Sequence, residues 1–223
     1  MKEKLKEWAG TYNVKSFIPD DPVQFPHRFT GRRDIEISAF ITSWISYGRR
    51  ELILRKADWL HSRMGGSPCE WILSGCYREL VSDVPAGKRD TFYRFYTHSD
   101  LCALCDLLKE IYERYDSLED ALAASPYPNP VLRLQDLFSG INGIPVMGGT
   151  SACKRLAMFL RWMIRTDGIV DFGIWQTVFH PRQLIIPLDT HVHQISLELG
   201  LTRQRAATLK TALEITEALS PIF

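Results

Sequence analysis

Two side chains suited to covalent chemistry stand in the last third of the sequence. Lys154 lies in Thr150-Ser-Ala-Cys-Lys154-Arg155-Leu-Ala-Met-Phe-Leu-Arg161-Trp162-Met-Ile-Arg165, and Asp189 in Ile185-Ile-Pro187-Leu-Asp189-Thr190-His191-Val192. An amine beside a carboxylate suits attack on a sugar C1′. The departing base leaves oxocarbenium-like positive charge for the carboxylate to stabilise, and the amine must be neutral to attack. The two residues are 35 positions apart, so they meet only if the segments carrying them pack together.

Both segments have the pattern of helices. Thr150 or Ser151 can cap the first, whose apolar residues Leu156, Phe159, Leu160 and Met163 recur at three- and four-residue spacing. Its other positions carry Lys154, Arg155, Arg161 and Arg165 and no acid. Asp189 or Thr190 can cap the second, over 191–199, with Gly200 just past its end. Taken singly, each residue has an ordinary explanation, a surface lysine and a helix cap.

The preceding chain supplies scaffold. Helices are expected over 2–12, over 33–47 with Ile37, Phe40, Ile41, Trp44 and Ile45 buried, over 49–64, and from Pro68 towards Leu73. The prolines of 17–27 mark a wandering connection, and Val84-Pro-Ala-Gly-Lys-Arg a loop. Ser99 is expected to cap a helix through Tyr115, Ser117 a shorter one, and Thr202 a last one over 203–219. A helix over 131–138 leads into the glycine-rich 140–149. With no repeat and no strand-rich region, an all-α fold follows.

Pro187-Leu-Asp189-Thr190-His191-Val192 followed by Leu199-Gly200-Leu201 resembles the P-V-D-T-H-V and G-L signature of the helix-hairpin-helix base-excision DNA glycosylases, the superfamily of endonuclease III and the 8-oxoguanine glycosylases. The spacing from Lys154 to Asp189 looks more like the archaeal 8-oxoguanine branch than endonuclease III. Ser151-Ala-Cys-Lys-Arg, Phe159-Leu-Arg-Trp-Met, Val170-Asp-Phe-Gly-Ile-Trp175, Tyr93-Arg-Phe95 and Tyr47-Gly-Arg49 more closely resemble a bacterial family of unknown function within or beside that superfamily. The resemblance implies a two-lobed helical unit spanning 1–223, C-terminally short relative to that family. Its hairpin is atypical, because Met147-Gly148-Gly149-Thr150-Ser151-Ala152-Cys153-Lys154 stands where L-P-G-V-G-x-K is usual. It further implies Lys154 as a Schiff-base nucleophile, Asp189 as its partner, and an oxidised purine such as 8-oxoguanine as substrate. The alternative is a non-catalytic DNA-binding or interaction protein that retains the fold.

Composition is compatible with either reading. At 223 residues and 45% hydrophobic the chain can bury a substantial core. A net charge of +1 shows no global preference for a polyanion, so a DNA surface must come from local segregation of charge. Such segregation exists in 28–56, with seven basic residues and three acids. Arg49, Arg155, Arg161 and Arg165 are candidate phosphate contacts. Tyr93, Arg94, Phe95 and Trp162 are candidates to meet a flipped base, although helical aromatics such as Phe159, Trp162 and Trp175 usually pack inside. Five cysteines, an odd number, speak for reduced thiols. Neither Cys102-Ala-Leu-Cys105 nor His180, His191 and His193 makes a metal set, so no metal or cofactor is expected. With no signal peptide or membrane-length apolar run, a cytoplasmic monomer acting on damaged duplex DNA is the expectation.

Overall fold

Helical periodicity in the sequence becomes helix after helix along the chain. The computed structural model describes residues 2–82 and 90–223, and the loop expected at 84–89 lies outside the described residues. The helices are α1 (Lys2–Tyr12), α2 (Arg32–Ile45), α3 (Arg50–Met64), α4 (Pro68–Ser74), α5 (Glu79–Ser82), α6 (His98–Arg114), α7 (Leu118–Ala123), α8 (Pro130–Leu137), α9 (Lys154–Ile164), α10 (Thr190–Glu198) and α11 (Leu209–Leu219). Short 3₁₀ turns fill much of 15–28, where prolines forbid a longer helix. No strand occurs among the described residues, so the fold is all-α.

The central helix is α2, buried on every face from Ile35 to Ile45. It packs against α9, α4 and the turn Pro26–Arg28, while α8 packs against α7 and α9, and α6 against α4. Leu156, Phe159, Leu160 and Met163 of α9 are all buried, as their spacing requires. The buried apolar side chains form one cluster from Val23 to Ile215.

Several helix starts differ from the sequence expectation. Helix α6 is capped by Thr97, whose side chain and Asp100 satisfy each other's backbone N–H groups, rather than by Ser99. Helix α11 begins at Leu209 behind a Thr208–Thr211 capping box, and Thr202 instead accepts a hydrogen bond from the Gln204 N–H at 3.1 Å. Neither Thr150 nor Ser151 caps α9. The chain enters that helix through Cys153 in the left-handed region (φ 53°), while the Ser151 hydroxyl accepts the Cys153 N–H at 3.1 Å.

Between α9 and α10 the chain runs through 165–189 with only the 3₁₀ turn Pro181–Gln183. Two buried carboxylates help fix this long connection. Glu36 of α2 accepts from the Trp175 indole at 2.7 Å, the Tyr112 hydroxyl at 2.9 Å and the Leu118 N–H at 2.9 Å. Glu119 of α7 accepts from the Thr177 and Val178 N–H groups at 2.9 and 2.8 Å. Arg32 donates to both carboxylates, so neither charge is buried without a counter-charge.

Candidate functional site

Lys154 is the first residue of α9, and Asp189 is the N-cap of α10. The two helix starts converge: Lys154 Nζ lies 2.9 Å from Asp189 Oδ2. The lysine side chain is 41% exposed and the aspartate 30%, so the pair opens to solvent. The other oxygen, Oδ1, accepts the Val192 N–H at 2.9 Å, which fixes the carboxylate against the positive end of α10. Burial pushes the Asp189 carboxyl up, but the Val192 N–H and the lysine outweigh it and hold the group below the usual aspartate range. It is therefore a carboxylate at neutral pH, suited to stabilising positive charge and a weak acceptor of protons.

A second carboxyl, Asp21, feels Arg161, Arg50 and Lys154, although burial raises it above the ordinary value overall. Its side chain caps the turn Pro22–Gln24, accepting the Val23 N–H at 3.0 Å, and nothing local in the sequence ties it to a helix start more than a hundred positions away.

Arg155, next to Lys154, turns inward. It donates to the Trp44 carbonyl, the Tyr96 hydroxyl and, at 2.6 Å, the Gly143 carbonyl. The guanidinium, expected at a phosphate, thus ties the start of α9 to the end of α2, to the aromatic turn and to the preceding glycine loop. Arg161 pairs with buried Asp171 at 3.2 Å, and Arg165 with Asp167 at 2.7 Å and also with Asp171. Both heads are committed to acids of the connection rather than free for phosphate. Arg49 differs, being 77% exposed with a single 3.4 Å contact to Glu51.

The four base-contact candidates separate as well. Trp162 is wholly buried in the core and cannot stack on a ligand. Tyr93 is buried, its hydroxyl donating to the Tyr47 carbonyl at 2.8 Å. Phe95 is exposed with its ring 5.1 Å from that of Tyr47, and the Arg94 guanidinium lies 4.9 Å from the Tyr47 ring. Tyr93 and Arg94 also line a cavity of about 440 Å³ with Leu52, Arg55, Lys56, Trp59 and Phe92, which contains neither Lys154 nor Asp189. The sequence did hold a signal for Lys56, at the end of the basic run 28–56, but gave no reason to prefer it to its neighbours.

All five cysteines are free thiols, and burial raises Cys105 well above its ordinary value. Among the described residues no three His, Cys, Asp or Glu side chains gather in a way that could hold a metal ion, and no helix is long and apolar enough to cross a membrane. Nothing among curated proteins or solved structures matches this chain. A family model does match, over residues 21–223, and the chain belongs to that family, DUF2400, described as a protein of unknown function.

Proposed function

We propose that the protein is a DNA base-excision glycosylase with lyase activity, in which Lys154 is the nucleophile and Asp189 its electrostatic partner. The observation that carries this reading is the 2.9 Å contact between an amine and a carboxylate held on two helix starts and open to solvent. In the proposed reaction the Lys154 ammonium first loses a proton to solvent. The amine then bonds to C1′ as the glycosidic bond breaks, and the base leaves with the bonding electrons and takes up a proton. Asp189, kept ionised by the Val192 N–H and the lysine, stabilises the positive charge that develops on the sugar. Ring opening gives the Schiff base, and loss of a C2′ proton expels the 3′ phosphate. An oxidised purine, 8-oxoguanine-like, is the substrate class that the spacing from Lys154 to Asp189 favours. Exposed Phe95 and Arg94 offer a stacking face and a cation for the extruded base or its strand.

Borohydride trapping tests the reading. Wild type should form a covalent adduct with duplex containing 8-oxoguanine or an abasic site, and Lys154→Ala should form none. A second reading is favoured by one observation: Lys154 and Asp189 already satisfy each other, as a strap between helices would. On that reading the fold binds DNA without chemistry. Salt-sensitive DNA binding with no adduct from wild type selects it, and absence of DNA binding rejects both.

A further inference from the structure

The 440 Å³ cavity beside the aromatic turn has an unusual lining: three cations (Arg55, Lys56, Arg94), three aromatic rings (Trp59, Phe92, Tyr93) and Leu52, with no acid among these described residues. Lys56 reaches into it without an ion-pair partner among the described residues. Its Nζ lies 3.9 Å from the Trp59 ring and 4.1 Å from the Phe92 ring, so ring faces rather than a carboxylate hold the ammonium. Arg63 also lies near the Trp59 ring, at 5.4 Å.

Arg94 is held in place by its own backbone and by a glycine. It adopts φ 56°, and a Cβ on Gly48 would stand 2.6 Å from its Nη1, so the guanidinium rests on a position where a side chain would displace it. Like Lys56, Arg55 and Arg94 make no ion pair among the described residues. The chain as a whole has a net charge of only +1, which makes this local excess of unmatched positive charge the more informative.

We infer that this cavity binds the phosphate of a nucleotide, with Lys56, Arg55 and Arg94 as the cationic lining and the aromatic rim as the surface for the attached base. Cations without acids fit a phosphate, and the half-buried Trp59 ring, beside buried Phe92 and Tyr93, offers an apolar face to a planar base without demanding its identity. The volume lies within the range of small-ligand sites. Burial without a counter-charge also lowers the Lys56 ammonium to about 8, a cost that a bound anion would relieve. A DNA strand and a free nucleotide both carry such a phosphate, and the two sources are separable by experiment. Its lining includes neither Lys154 nor Asp189, and the inference does not depend on the lyase chemistry.

The test uses the full chain carrying Lys154→Ala, so that no reaction intervenes and a failed trapping experiment leaves this one readable. Fluorescence anisotropy follows a labelled oligothymidylate across a salt series, with thymidine 5′-monophosphate, inorganic phosphate and an acid-rich peptide as competitors. Lys56→Met should weaken binding roughly fivefold or more and lower the salt slope by about 0.7, the share of one contact on a single strand. Lys56→Arg should retain most of the affinity, which a purely structural role for the lysine would not predict. Arg55→Gln, at an exposed position, gives an independent reading should Lys56→Met fold poorly, and Lys6→Met on α1 is the control expected to change nothing. Competition by the mononucleotide assigns a free nucleotide, and its failure against a bound oligonucleotide assigns a strand. The inference is overturned if the Lys154→Ala chain binds neither, if adding Lys56→Met or Arg55→Gln to it leaves affinity and slope unchanged in both, or if only the acidic peptide binds.

Discussion

Asp189 does two separable things: one oxygen caps α10 and the other meets Lys154. Asparagine caps a helix about as well as aspartate, and a partly exposed ion pair contributes at most about 1 kcal/mol, so Asp189→Asn should change stability by no more than about that. Base release in single turnover should nevertheless fall by roughly 10²-fold or more, because the charge facing the sugar is gone. Asp189→Ala should lose as much activity and about 1 kcal/mol more in urea unfolding, the value of the cap. Intact base release in Asp189→Asn would leave the carboxylate a structural role only. At this scale the sequence was informative where chemistry is local: the lysine, the aspartate and the cap all sit in short motifs. It misled where a side chain's partner is distant, as with Arg155, whose acceptors at Trp44 and Tyr96 lie on other elements.

Among the elements, α9 depends on the glycine loop that delivers it. Gly143 has φ 85°, its carbonyl accepts from Arg155, and a Cβ there would stand 2.1 Å from the Tyr96 hydroxyl oxygen. Gly143→Ala should therefore cost about 2 kcal/mol or more, from left-handed strain plus overpacking against a buried ring. Gly140→Ala is the comparison: φ is also 85°, but nothing lies within 4 Å of the added carbon, so only the strain of about 1 kcal/mol remains. Thermal unfolding of the two variants reads the difference, and equal losses would remove the close approach from the account. The glycine-rich stretch was legible as a loop, but which glycine carries the constraint was not, since that depends on where Tyr96 arrives. The same limit explains the misplaced starts of α6, α9 and α11. Several serines and threonines near each start could cap; tertiary packing chose among them at α6 and α11 and used none of them at α9.

For the whole molecule, a buried histidine makes stability depend on pH. His61 Nδ1 faces the Ala57 carbonyl and so carries the proton, while Nε2 accepts from the Ser38 hydroxyl, both at 2.7 Å, and the ring stacks on Phe25. Burial lowers its pKa from 6.5 to about 4. Between those values the unfolded chain takes up a proton that the folded chain refuses. The contribution, on the order of 3 kcal/mol, is complete above pH 6.5 and is lost as pH falls towards 4. Urea midpoints at several pH values in this window should fall with acidity, and more steeply than in a chain carrying His61→Phe with Ser38→Ala; parallel curves would rule out His61 as the source. The all-α class and the central place of α2 followed from periodicity alone. The clamps at Glu36 and Glu119 did not, because their partners at Trp175 and Val178 lie 139 and 59 positions away. Folding also rewrites the electrical character of α9. Read along the chain it is a cationic rod, yet Lys154 is matched by Asp189, Arg161 and Arg165 by Asp171 and Asp167, and Arg155 is spent on neutral acceptors. Seen from a Debye length away the helix and its acids carry about one positive charge rather than four, so most of whatever draws a polyanion towards this protein must be broadcast from another face.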